Sequence, residues 1–176
     1  KAIRFYSTPL IWLLYGGRRQ FKELLPETLV LSTRYGFYVI PGREGLLLLW
    51  EAEETRLLER FMERGTVFVD VGAHVGLYTL WACRRAEKVV AVEPNPLALA
   101  YLRVNVALNN CGNVAIVPKA ASDEKGIVEL RVPKPASAGH VPMTASIVWR
   151  HQEALSFHVE ADTLDSIVEE ATGGEA

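Results

Sequence analysis

The hydrophobic pattern changes period along the chain, and each change predicts an element. "TVFVDVG" (66–72) is a continuous apolar run, the kind that forms a strand buried on both faces. A glycine-punctuated loop follows, then a helix over about 76–86. "KVVAVEP" (88–94) is a second buried strand. "PLALAYLRVNVALNN" is a helix, with Pro96 in its first turn and Asn109, Asn110 and Gly112 ending it. "NVAIVP" (113–118) is a third strand. Strand and helix alternating at this pitch predict an α/β fold, a Rossmann-like doubly wound and mostly parallel sheet.

On either side the pattern differs. "GIVELRV" and "LSFHVEA" alternate with period two and predict antiparallel or edge strands, and "PKPASAGH" between them is a loop. "TLDSIVEEA" starts a last helix, with Thr163 as its N-cap. Upstream, "ETLVLSTRYGFYVIP" predicts a hairpin around Gly36, and "GLLLLW" a short strand or helix lead-in. "EAEETRLLERFMERG" predicts a helix with Leu57, Leu58, Phe61 and Met62 on one stripe and Gly65 as C-cap. The division expected is a helical and hairpin extension over 1–65 and an α/β part over 66–176.

Composition narrows the function. The chain is 49% hydrophobic and 23% charged, as a globular domain is. A net charge of −2 argues against a dedicated nucleic-acid binder, so no nucleic-acid partner is expected. Cys83 and Cys111 have no Cys or His near them at ligand spacing, so they are read as small core residues rather than a disulfide or zinc site, and no metal is expected. No apolar run reaches the ~20 residues needed to span a bilayer, which leads to a cytoplasmic expectation. Residues 1–22 carry Lys1, Arg4, Arg18, Arg19 and Lys22 and no acid around "LIWLLY". That segment predicts a helix laid against the domain, with peripheral membrane contact as its other reading.

The chemistry concentrates in "VFVDVGAHVGLYTL". A dinucleotide loop needs G-x-G-x-x-G at a helix N-terminus. Here Gly72-Ala73-His74-Val75-Gly76 lacks the middle glycine, and Asp70 stands two residues ahead of the first. A carboxylate there repels a pyrophosphate and suits a cationic or zwitterionic ligand. S-adenosylmethionine, with an ammonium and a sulfonium and no phosphate, is such a ligand. Asp70 is expected to accept from its ammonium side. Glu93 ends the second strand, where an acid grips both ribose hydroxyls. On this reading Glu93→Gln costs less than Glu93→Ala.

"VFVDVGAHVGLYTL", "VVAVEPNPLALAYLRVNVALNN", "NVAIVPKAASDEKGIVEL" and "ADTLDSI" together resemble the FkbM family of class I S-adenosylmethionine-dependent methyltransferases. The resemblance runs from about 66 to 168 and implies a seven-stranded Rossmann-like sheet and O-methylation of a sugar or secondary-metabolite hydroxyl. It implies a small-molecule or glycan acceptor. It makes Asp70, Gly72, Ala73, His74 and Gly76 the methionine-end loop, Glu93 the ribose acid beside Pro94 and Asn95, and Lys119, Ala120, Ala121 and Ser122 the adenine edge. His74 stands where Asn or Gly is more usual. The chain holds fewer parallel strands than that sheet requires, so the fold reads as truncated and acceptor chemistry is expected to lie beyond it.

His140, on the polar "SAGH" loop, is the visible candidate for a general base. His151 and His158 read as surface or strand-edge residues, Tyr78 and Trp81 as core, and Asn105 as a hydrogen-bond donor to a neighbouring loop. Two other functions fit the pattern: an RNA or tRNA methyltransferase of the same superfamily, and a non-catalytic half-domain that binds cofactor or docks on a partner. The oligomeric state is not legible.

Overall fold

In a computed structural model of the chain, the residues described are 3–4, 31–32, 36, 38–39, 52–134, 145, 147 and 154–174. They form β1 (Ile3–Arg4), β2 (Leu31–Ser32), β3 (Tyr38–Val39), α1 (Ala52–Glu59), β4 (Val67–Val71), α2 (Leu77–Cys83), β5 (Lys88–Val92), α3 (Pro96–Leu108), β6 (Val114–Val117), β7 (Ala120–Ala121), β8 (Gly126–Pro133), β9 (Ala154–Asp162) and α4 (Leu164–Thr172).

The central sheet is parallel, in the order β4-β5-β6, with Val69 opposite Val90 and Val90 opposite Ala115. β5 lies in the middle, and its side chains alternate between two helical layers. Val89 packs with Leu77, Leu80 and Trp81 of α2, and Ala91 with Leu99 and Leu102 of α3. Val90 and Val92 face the other way, onto Ile167 of α4. Helices cover both faces, so the fold is the α/β, doubly wound, Rossmann-like arrangement that the pattern predicts. The period-two segments form a second sheet, β7-β9-β8, with β8 antiparallel to β9.

Three local expectations are corrected. β4 is not buried on both faces. Among the described residues it is an edge strand, its first three residues are half-buried, and Val71 is 52% exposed. The helix before it ends at Glu59, well short of Gly65. Its last turn tightens through bonds from Arg60 N to Leu57 O and from Phe61 N to Leu58 O, at 3.1 and 3.0 Å. That tightening breaks the stripe: Leu58 and Met62 pack on the core, while Leu57 and Phe61 lie exposed.

The cysteines are the third correction. Cys83 and Cys111 form a disulfide, with Cα atoms 5.8 Å apart. Cys83 ends α2 and Cys111 follows α3. Consecutive strand–helix units set neighbouring helices side by side, a proximity that a sequence separation of 28 conceals.

The expected hairpin is present as β2 antiparallel to β3, with Gly36 at φ 82° between them. Asn109 fastens it to the domain. Its Oδ1 accepts from Tyr38 N at 2.8 Å and its Nδ2 donates to Tyr38 O at 2.5 Å, as a neighbouring strand would. Val39 then enters the core beside Trp81. Apart from Ile3 and Arg4, the basic segment 1–22 lies outside the described residues, as do "GLLLLW" and His140 and His151. Among the described residues no helix is long and apolar enough to cross a membrane.

Candidate cofactor site

The glycine loop leaves the C-terminal end of β4 and enters α2. Its amides turn inward. Gly72 N and Ala73 N both donate to Val92 O, at 2.9 and 3.1 Å, and Gly76 N donates to Ala73 O at 2.8 Å. His74 N donates to Glu93 Oε2 at 2.7 Å. A pyrophosphate site needs such amides free and pointing outward. Here the amides of Gly72, Ala73, His74 and Gly76 are spent on the protein's own acceptors. Gly72 is exposed at φ 78°, with open space where a Cβ would stand, so a ligand can reach the backbone there. Ala73 and Val75 turn into the core.

Glu93 bridges two loops. One carboxylate oxygen takes His74 N, and the other takes Asn95 N at 2.8 Å. Asn95 in turn caps α3, its Oδ1 accepting from Leu97 N at 3.0 Å, with Pro96 next. Pro94 is half-buried between them. Two of the roughly four lone-pair positions of the carboxylate are engaged, which leaves two to accept from ligand hydroxyls. Burial pushes the Glu93 carboxyl above its ordinary value, the amides of Asn95 and His74 draw it back, and the charge of Asp70 adds to the rise. Glu93 and Asp70 thus place two carboxylates at the ends of adjacent parallel strands.

Asp70 is buried and held by Thr79, whose Oγ1 donates to Asp70 Oδ2 at 2.5 Å. Burial raises the Asp70 carboxyl, against the lowering by the Thr79 side chain and backbone. Asn105 reaches back from α3 and donates to Val75 O at 2.8 Å, the neighbouring-loop contact that the sequence suggests. His74 sits at φ 52°, one of two non-glycine residues at positive φ among those described.

The third loop is tied elsewhere. Ala120 and Ala121 form β7 beside β9, and Ser122 N donates to Asp162 O at 2.9 Å. The Lys119 ammonium lies 2.7 Å from Glu170 of α4 and 3.5 Å from the buried Asp162. The structure therefore joins the first two predicted clusters by direct hydrogen bonds, and sets the third at the end of the next strand, braced on β9 and α4. Thr79 and Asn109 are the residues that sequence reasoning missed. A threonine three places after Gly76, in the first turn of the helix, was the available signal. Among the described residues no group of three His, Cys, Asp or Glu side chains is placed to hold a metal ion.

A sequence profile of the TRM5/TYW2 methyltransferase domain matches residues 49–147, just over half of the chain and both of the hydrogen-bonded clusters. The chain belongs to this family. The uncharacterized protein MJ1452 of Methanocaldococcus jannaschii is 31% identical over 65 residues, which are 37% of this chain and 25% of that one. A tRNA (guanine(37)-N(1))-methyltransferase of Leishmania major is 41% identical over 58 residues, 33% of this chain and 8% of that one. The matched segments thus span a quarter or less of those relatives. Among solved structures, the FkbM methyltransferase of Methylobacillus flagellatus is 16% identical, with a TM-score of 0.37 over 90% of this chain and 32% of that one.

The family match corrects two expectations. The profile is that of TRM5/TYW2, so the FkbM resemblance gives the methyltransferase class and not the family. A small-molecule or glycan acceptor with no nucleic acid does not stand beside a TRM5/TYW2 match and a tRNA methyltransferase relative. The physical reason for the error is that a net charge of −2 averages over the whole chain, whereas a nucleic-acid surface is local.

Proposed function

We propose that this chain holds the donor site of an S-adenosylmethionine-dependent enzyme that methylates tRNA. The family match over residues 49–147 carries this reading. The chemistry of the loop supports the donor. Four of its five amides are taken by the protein's own acceptors, and two carboxylates stand at the ends of adjacent strands. That donor set fits a ligand with vicinal ribose hydroxyls and positive charge.

S-adenosylmethionine supplies a methyl group already activated on a sulfonium. The residues of the chain then bind and orient. Glu93 accepts from the ribose hydroxyls while still bridging His74 N and Asn95 N. Exposed Gly72 lets the backbone approach the methionine end, and β7 with Ser122 forms the adenine edge. Aligning an activated donor with a nucleophilic base atom supplies most of the rate, so a strong general base is not required.

A labelled-methyl assay tests the reading. The chain within a protein of the length of its tRNA methyltransferase relatives, given S-adenosylmethionine carrying tritium in its methyl group, is expected to label tRNA lacking its native methylations and to leave sugars and polyols unlabelled. Labelled polyols with unlabelled tRNA would contradict it.

A further inference from the structure

Helix α2 begins without a cap of its own. Its N-cap is Gly76, left-handed at φ 93°, with no side chain to accept from the first-turn amides. No larger residue fits. A Cβ on Gly76 would stand 2.5 Å from Leu102 Cδ1, and the backbone conformation disfavours any side chain. Yet the amides that open a helix lack intrahelical partners and carry the positive end of its dipole.

The missing acceptor comes from outside the helix. Asp70, at the end of β4, accepts from Thr79 Oγ1 at 2.5 Å, and the Thr79 backbone amide engages the same carboxylate. Thr79 is the third helical residue, the place that an N-cap side chain ordinarily serves. Asp70 is 8% exposed and Thr79 fully buried, so the contact between them is enclosed within the fold. The Asn105 contact to Val75 O holds the loop from its other side.

We propose that Thr79 and Asp70 are positioning residues: Asp70 caps α2 in place of the side chain that Gly76 lacks, and Thr79 locks that carboxylate so that the loop 72–76 keeps the shape the cofactor needs. This inference rests on reading the loop as the S-adenosylmethionine site. It gives Asp70 a capping role instead of a contact to the cofactor ammonium.

Three variants of the 176-residue chain test it, with S-adenosylhomocysteine as the calorimetric probe and thermal unfolding of the free chain alongside. Thr79→Val keeps the shape and removes the hydroxyl; it should weaken binding roughly tenfold at temperatures well below its unfolding. Thr79→Ser restores the donor and should bind within about threefold of wild type. Asp70→Asn keeps an acceptor oxygen for the Thr79 amide and should bind within about fivefold, having lost only the charge at the helix end. Thr79→Val binding like wild type would overturn the proposal. So would an Asp70→Asn loss beyond about thirtyfold beside an unaffected Thr79→Ser, since a direct ammonium contact predicts that pattern. The second comparison stands even where Thr79→Val fails to fold. Wild type that does not bind S-adenosylhomocysteine would instead overturn the cofactor reading itself.

Discussion

Replacing Glu93 with glutamine is the sharpest perturbation of the site. Sequence logic treats the amide as a mild change, because its oxygen still accepts. The structure reverses that expectation. Glu93 receives two backbone amides, His74 N on one oxygen and Asn95 N on the other, at 2.7 and 2.8 Å. A glutamine in either orientation turns its NH2 toward one of these donors. One charge-assisted bond of about 1.5–3 kcal/mol is lost, and a donor faces a donor in a buried site. Relief of the burial of a charge offsets part of this in the free chain, so the larger effect is on the ligand. The variant must present one carbonyl oxygen to two ribose hydroxyls from a displaced loop. We expect S-adenosylhomocysteine affinity to fall roughly 10- to 150-fold, from ~1.5–3 kcal/mol. Glu93→Ala should fall by a similar factor, because truncation lets water reach both amides. Calorimetric titration of the three proteins decides the matter. Glutamine binding within about threefold of wild type would refute the bridging argument.

Other outcomes follow from single features. The Cys83–Cys111 disulfide closes a loop with a sequence separation of 28, worth about 3.5 kcal/mol by loop entropy; its reduction should lower Tm by roughly 7–14 °C, and an unchanged melting curve would contradict its formation. Gly76→Ala drives a methyl toward Leu102 at φ 93°, so it should destabilise the chain by about 1–3 kcal/mol in denaturant unfolding. Burial raises the Glu93 carboxyl above 4.5, so the folded chain binds more protons than the unfolded between the ordinary and raised values. Glu93 then adds stability as pH falls through that window, whereas ribose binding, which uses the carboxylate, weakens over the same window. The affinity of Glu93→Ala should show a flatter acid limb than wild type in a pH series of titrations, and equal slopes would contradict the assignment.

What was legible in the sequence was what repeats. Alternating buried runs and helices place β4, β5 and β6 in a parallel sheet, and the pattern from Asp70 to Asn95 marks the two loops that meet through Glu93. Hidden features depend on contacts between elements that are distant in the chain. The disulfide needs α2 and α3 side by side, and the grip of Asn109 on Tyr38 spans 71 positions. Phe61 left its stripe because a tightened turn overrides the helical period. The direction in which Asp70 faces was equally hidden, since a carboxylate beside a glycine loop can point to ligand or to helix. Only Thr79 on the first turn of α2 distinguishes the two. The acceptor was misread because the family resemblance supplied it, and nucleic acid was set aside because charge was summed over the chain rather than over a surface.

A loop with four of its five amides turned inward, beside two buried carboxylates, suits a cofactor without phosphate. Side-by-side titration of the chain with S-adenosylhomocysteine and with NAD decides between the two kinds of ligand. Binding of S-adenosylhomocysteine that is lost in Glu93→Ala, with NAD at least tenfold weaker, is the predicted result. NAD binding as tightly as S-adenosylhomocysteine, or more so, would contradict it.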